Sequence, residues 1–165
     1  MSNDIVGVLY VRSDSTSAVD LLNSVAAESV LGVTVVAVDE AQSRLVPHPV
    51  AVHTGSAGFI VADRKGGSNA SYLIDGTDYV SDAKIGLPLR SSDRLQLLFD
   101  LLSGILASPA LAQVSIALMD CGQIEEVKAT TPSAMEETIR HDMLEYSPPD
   151  TLYIIVPEEE GVQAT

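Results

Sequence analysis

The segment from Asp4 to Asp39 carries the pattern that most constrains the fold. Ile5 to Val11 is an apolar run rich in β-branched residues and without polar alternation, which is typical of a strand buried on both faces of a sheet. Apolar residues at helical spacing follow from Val19 to Ala26, and a second apolar run spans Val33 to Val38. This order predicts a βαβ unit whose two strands run parallel, and therefore an α/β fold.

The loop before the first predicted helix is polar. Ser13, Asp14, Ser15 and Thr16 have short side-chain oxygens that bond nearby backbone N–H groups, so they favour turns and helix caps. These four residues have two possible roles: they form an exposed binding loop, or they only cap the helix that follows.

The middle of the chain is predicted to be a short link followed by strands. Glu40 to Leu45 is a polar link in this prediction, and the two prolines of Val46 to Val50 hold the backbone extended. Val50 to His53 predicts a brief strand. Two further apolar segments, Phe59 to Ala62 and Ser71 to Ile74, predict an antiparallel hairpin.

The second half contains one unusually apolar helix, predicted over Ser92 to Ser108. Its stripe is wider than one face, because Leu97 and Leu101 lie about 100° from the line through Leu95, Leu98 and Leu102. We therefore predict that at least one of these two leucines is an interaction residue, covered by a partner chain or by the C-terminal part of the chain.

Three further elements are predicted after this helix. Residues 111–119 contain a strand, and residues 124–129 are expected to continue antiparallel to it after a turn. Thr131 and Pro132 open a helix with Glu136 and Glu137 in its first turn, where acidic residues suit the helix dipole. Residues 152–156 form the last predicted strand.

The opening βαβ unit, the X-Pro segment entering a strand and the predicted hairpin together resemble the thioredoxin and glutaredoxin fold. The chain is similar in particular to the divergent thioredoxin-like proteins that large DNA viruses encode. This resemblance implies a thioredoxin-like core with a mixed sheet over residues 1–76, in which Pro47 or Pro49 takes the cis-proline position. Residues 77–165 would be an α+β extension packed with the core as one domain.

The family's redox motif is missing, because the loop from Arg12 to Ser17 contains no cysteine. A hydroxyl cannot replace a thiolate in disulfide exchange, so the protein is expected to be redox-inactive. The alternative is a small enzyme that uses Cys121, the single cysteine, with a histidine. The three histidines, His48, His53 and His141, lack the spacing of a metal site, so neither a metal nor a cofactor is predicted.

The formal net charge of −14 disfavours direct binding to nucleic acid, because phosphates would be repelled. It leaves open a third interpretation, an acidic inhibitor or immunity-type protein that occupies a basic site. No apolar run is long enough to span a bilayer, and the segment before Ile5 lacks the basic residues of a signal peptide.

These observations favour a non-enzymatic interaction or structural module. We expect the protein to bind protein partners in a larger assembly. The viral resemblance implies that this assembly is a virion and that the protein is a minor capsid component. A single cysteine suits an intracellular or virion-associated location, since no internal disulfide can form. Whether the chain forms an oligomer stays open at this level.

Overall fold

A mixed six-stranded sheet with helices on both faces makes up the fold in the computed structural model. The structure describes residues 4–12, 17–45, 47–48, 50, 54–67, 69–80, 86–120 and 123–157. The strands are β1 (Asp4–Val11), β2 (Gly32–Val36), β3 (Ser56–Ala62), β4 (Leu111–Met119), β5 (Glu126–Thr130) and β6 (Thr151–Ile155). The helices are α1 (Ala18–Glu28), α2 (Val38–Arg44), α3 (Ser91–Leu106) and α4 (Met135–Glu145). This confirms the predicted α/β class with a mixed sheet.

The strands lie in the order β2, β3, β1, β4, β6, β5. All neighbours pair antiparallel except β5 and β6, which are parallel. The predicted parallel direction of β1 and β2 is confirmed, because both run antiparallel to β3. However, β3 lies between them, so the helix α1 connects two strands that are not neighbours.

Strand β1 is buried on both faces, as its unbroken apolar run predicts. Ile5 and Leu9 belong to the larger core cluster, which also contains residues of α1, α3 and α4. Val6 and Val8 point to the other face, where they cluster with Ala41 of α2. Because β1 also pairs with β4, strands from the two predicted parts of the chain belong to one sheet.

The predicted hairpin strand at residues 71–74 is wrong, because this segment forms turns. The carboxylate of Asp63 explains the difference. It accepts hydrogen bonds from the backbone N–H of Tyr72 at 3.1 Å and of Leu73 at 2.8 Å. These donors are therefore used by a side chain instead of a neighbouring strand, which is how Asp competes with regular structure.

The predicted antiparallel pairing of residues 124–129 with β4 is also wrong. The strand at this position, β5, pairs with β6, and β6 lies between β4 and β5. The physical reason is burial: Leu152, Tyr153 and Ile155 of β6 are fully or almost fully buried, whereas β5 is mostly exposed. The more apolar strand occupies the inner position, and the charged one forms the edge.

The predicted polar link at residues 40–45 is a helix, α2, with Asp39 and Glu40 in its first turn. The Gln42 side chain accepts a hydrogen bond from the Val50 N–H at 2.9 Å, which fixes the segment after the helix. Residues 51–53, where the sequence predicts a brief strand, lie outside the described residues, as do Val46 and Pro49. The cis X-Pro bond that the structure does describe is Ser147–Pro148.

The remaining predicted elements are confirmed to within three residues at each end of a strand and one turn at the end of a helix. Helix α1 is capped by Ser17, whose Oγ accepts a hydrogen bond from the Asp20 N–H at 2.9 Å. Helix α4 begins one turn after the predicted Thr131, and Glu136 and Glu137 lie in its first turn. Among the described residues, no helix is long and apolar enough to cross a membrane.

Candidate functional site

The two leucines predicted to be interaction residues lie in different environments. Leu101 is 3% exposed and belongs to the core cluster, and α1 packs against α3 on this side of the sheet. Leu101 is therefore buried within the chain itself, and the expectation that at least one of the two leucines is covered by a partner chain or by the C-terminal part stays a prediction. Leu97 is only half-buried, so part of its side chain remains accessible.

A groove between α1 and α3 runs past both leucines and encloses about 500 Å³. We call it the α1–α3 groove. Leu21 and Leu101, both almost fully buried, contribute apolar surface at its base, while Val25 and Leu97 are half-buried. Val30, in the turn after α1, is 64% exposed at one end. The groove therefore offers apolar surface that the chain itself leaves partly uncovered.

Gly104 lines the groove on α3, next to Val25 of α1. A Cβ atom at this position would be 3.4 Å from a methyl group of Val25, which is ordinary van der Waals contact, so alanine would also fit here. A longer side chain on Gly104 would extend beyond this contact into the groove.

The charged residues that line the α1–α3 groove are both acidic. Glu28 lies near the end of α1, and Asp100 lies on α3, where its carboxylate accepts a hydrogen bond from the Gln96 amide at 3.0 Å. Both residues are exposed. An apolar groove with a negative rim on a chain of net charge −14 favours a ligand that combines apolar and basic groups.

A second cavity, of about 540 Å³, lies between the beginning of α3 and the end of α4. Leu144 and Tyr146 on its border are 87% and 60% exposed. The cation in this cavity, Arg140, is already engaged. Its guanidinium bonds Glu136 at 3.0 Å, the Ser92 hydroxyl at 3.0 Å and the Gln96 amide oxygen at 2.9 Å, and it lies over the Phe99 ring. Arg140 therefore serves to hold α4 against α3.

The most deeply buried charge is Arg94 of α3, which has no exposed surface. Its guanidinium donates five hydrogen bonds to backbone carbonyl oxygens, at 2.5 to 3.1 Å; the acceptors are Tyr72, Asp75, Thr77, Pro88 and Leu89. Five donors in a fixed plane match five acceptors, so the guanidinium is fully satisfied. Arg94 thereby anchors the irregular segments on either side of residues 81–85 to the helix.

Asp75 supports this anchor. Burial by itself would raise the pKa of the Asp75 carboxyl, but hydrogen bonds from the Tyr79 hydroxyl and the Thr77 N–H, together with the Arg94 charge, lower it overall. The Tyr79 ring lies 5.1 Å from the Arg94 guanidinium carbon. Sequence reasoning missed Arg94, although an arginine inside the apolar stripe of a helix was a visible signal for a buried, fully bonded cation.

A second polar network joins α4 to the sheet. The Lys128 ammonium contacts both carboxylate oxygens of Asp142, at 2.8 and 2.9 Å, and the Tyr153 hydroxyl donates to the same carboxylate at 2.7 Å. The hydrogen bond to Asp142 raises the pKa of Lys128. Burial, and then the bond to Asp142, raise the pKa of Tyr153. The three side chains lie on β5, α4 and β6, so the network fastens the parallel βαβ unit.

These two raised pKa values predict a loss of stability at alkaline pH. Both groups bind a proton more tightly in the folded chain, so their contribution is complete below the unfolded pKa values of about 10 and is lost as the pH rises above them. We expect the free energy of unfolding to fall as the pH rises above about 10 in urea titrations.

The free energy of unfolding of the Tyr153→Phe variant should fall less steeply over the same pH range, because this variant lacks the phenol whose pKa is raised in the folded chain. The variant should also be less stable at pH 8 by about 1 kcal/mol, the net contribution of one hydrogen bond. Tyr146→Phe, which changes an exposed ring, is the matched control and should keep the wild-type slope. Equal slopes for the Tyr153→Phe variant and the wild type would contradict this role of the network.

The other predicted chemical residues are not assembled into a site by the described structure. Ser13 to Thr16, His53 and Cys121 lie outside the described residues. The Asp120 N–H donates to the Asp150 carboxylate at 2.7 Å, at the start of β6. His141 is exposed on α4 and lies 3.4 Å from Glu145 one turn along the same helix. Within the described residues no group of three or more His, Cys, Asp or Glu side chains could hold a metal ion.

The α1–α3 groove is therefore the candidate functional site, since it joins accessible apolar surface to a defined charge. The sequence indicated it through the extra apolar residues Leu97 and Leu101 of α3, but not that α1 forms its other wall. Comparison with known proteins adds nothing to this geometry: no protein-family model, no curated protein and no solved structure matches the chain.

Proposed function

We propose that this protein is a non-enzymatic interaction module that binds an amphipathic helix of a protein partner in the α1–α3 groove. The observation that carries the proposal is the combination of an apolar base with an acidic rim. A helix laid into a groove is a common mode of peptide recognition, and its apolar residues recur at positions i, i+3, i+4 and i+7. Such a ridge matches a groove formed by two packed helices.

The charge of the groove defines the partner further. Glu28 and Asp100 would face lysine or arginine residues that flank the apolar ridge of the bound helix. The net charge of −14 would speed the encounter with a basic partner, and added salt would slow it. We therefore expect binding to weaken as the salt concentration rises.

The use of the other charged side chains supports a binding role. Arg94 and the Lys128–Asp142–Tyr153 network are occupied with hydrogen bonds that hold the fold together. Leu97, in contrast, is a large apolar side chain on a rigid helix that is left half-exposed. Apolar side chains placed in this way provide the contact surface for the apolar face of a helix bound in a groove. The thioredoxin-like relationship and the place in a virion or other assembly stay predictions.

The test is binding of a synthetic peptide measured by fluorescence anisotropy. The probe is an amphipathic helix of about 18 residues with leucines at positions i, i+3, i+4 and i+7 and lysines elsewhere. A scrambled peptide of the same composition keeps the charge and removes the apolar ridge. We expect the amphipathic peptide to bind. The affinity of the scrambled peptide should be lower by a factor of about ten or more.

Leu97→Glu should weaken binding of the amphipathic peptide by about tenfold or more, since it places a carboxylate on the apolar wall. Leu106→Glu is the matched control, because Leu106 is a half-buried leucine on the same helix that does not line the groove. Circular dichroism checks that both variants fold. Equal binding of the two peptides, or equal losses in the two variants, would refute the proposed site.

A further inference from the structure

The sheet ends in two edge strands of very different character. Strand β5 carries Glu126 and Lys128, and charged side chains on an edge discourage pairing with another chain. Strand β2, with the sequence Gly-Val-Thr-Val-Val, has no charged residue and no proline. Its pairing with β3 is regular over all five residues, so no bulge twists the edge away. In the described part of the chain, β2 pairs with β3 alone.

We propose that β2 is the interface of a homodimer, in which two copies pair this strand antiparallel about a twofold axis at Thr34. The interface is distinct from the α1–α3 groove and does not depend on the function proposed for that groove. Two features of β2 support this dimer: its edge is unprotected, and its sequence can pair with itself without placing charges opposite each other.

The antiparallel register about Thr34 pairs uncharged residues with one another. Thr34 faces its own copy, Val33 faces Val35, and Gly32 faces Val36. Pairs of β-branched residues stabilise neighbouring antiparallel strands, and two threonines can hydrogen bond across them. Val33 and Val35 are half-buried against the core, so a second copy would cover the part of their surface that remains accessible. Exposed Thr34 would be covered on the other face.

The second copy is favoured over a foreign strand because of charge. β2 has no charge with which to select a foreign partner, whereas every side-chain pair in the symmetric register is uncharged. The two copies would still repel each other through their net charges of −14. Salt shortens the range of this repulsion from about 10 Å at 0.1 M to about 3 Å at 1 M. The dimer should therefore become stronger with salt, the opposite of peptide binding in the groove.

Sedimentation velocity between about 0.1 M and about 1 M salt tests the proposal. We expect the dimer fraction to increase with salt in the wild type, and Thr34→Glu to remain monomeric throughout. Thr34 is exposed, so this substitution should leave the fold intact, while two carboxylates would meet at the axis. A wild type that is monomeric at every salt concentration, or a dimer that survives Thr34→Glu, would overturn the proposal.

Cross-linking locates the axis. In a Cys121→Ser background, Thr34→Cys should form a covalent dimer under mild oxidation, because residues facing each other across a twofold axis come within disulfide distance. Thr131→Cys places a cysteine at another exposed position and is the control. Cross-linking of Thr34→Cys that is no faster than that of Thr131→Cys would show that the axis is elsewhere and would overturn this geometry.

Discussion

Replacing Arg94 with methionine is expected to lower the free energy of unfolding by about 3 kcal/mol or more, because each buried polar group left without its hydrogen-bond partner costs about 1–3 kcal/mol. Methionine fills much of the same volume but leaves five carbonyl oxygens without the donors that now satisfy them. The loss is large against a total stability of roughly 5–15 kcal/mol for a native protein. Urea titration followed by circular dichroism measures it.

Two further variants separate the role of these hydrogen bonds from the role of charge. Arg90→Met removes an exposed arginine one turn earlier and should change stability by no more than about 0.5 kcal/mol. Arg94→Lys keeps the charge but supplies three donors instead of five. Its free energy of unfolding should therefore lie between those of the wild type and Arg94→Met. If Arg94→Lys matched the wild type, the charge alone would account for the effect and the five-bond anchor would be wrong.

Removing the carboxylate of Asp142 should cost about 2–3 kcal/mol of folding free energy, the penalty for leaving buried polar partners unsatisfied. Asp142→Ala deprives both the Tyr153 hydroxyl and the Lys128 ammonium of their common acceptor. Most of the loss is expected from Tyr153, which is fully buried, because water can still reach the partly exposed Lys128. The measurement is again urea unfolding at neutral pH.

Glu126→Ala is the matched control for this loss. Glu126 also contacts Lys128, at 3.5 Å, but it is well exposed, and exposed ion pairs contribute little. We expect this variant to lose no more than about 0.5 kcal/mol. Similar losses in Asp142→Ala and Glu126→Ala would contradict a dominant contribution from the hydrogen bond between buried Tyr153 and Asp142.

The sequence was sufficient for elements with a strong local pattern. The unbroken apolar run of β1 predicted a strand buried on both faces, and the wide stripe around Leu98 predicted the helix α3. It was insufficient where a side chain from a distant position competes with the local pattern. The Asp63 carboxylate takes the N–H groups of Tyr72 and Leu73, so an apolar segment with strand propensity forms turns.

The order of the strands could not be predicted from the sequence either, because it depends on which strands bury the most apolar surface. The insertion of β3 between β1 and β2, and of β6 between β4 and β5, reflects burial across the whole sheet. For the site, Leu97 and Leu101 were recognised from one helix alone. That Leu101 is buried in the core while Leu97 stays partly accessible depends on tertiary packing, which no local pattern contains.

The most direct test of the proposed function is a titration of isotope-labelled protein with the amphipathic basic peptide, followed by amide NMR shifts. We expect the shifts to be concentrated along the α1–α3 groove, in particular at Val25, Glu28, Leu97 and Asp100. The same titration with Leu97→Glu should show smaller shifts there. Shifts that centre on Leu144 and Tyr146 beside the second cavity, or that spread evenly over the acidic surface, would contradict binding in the groove.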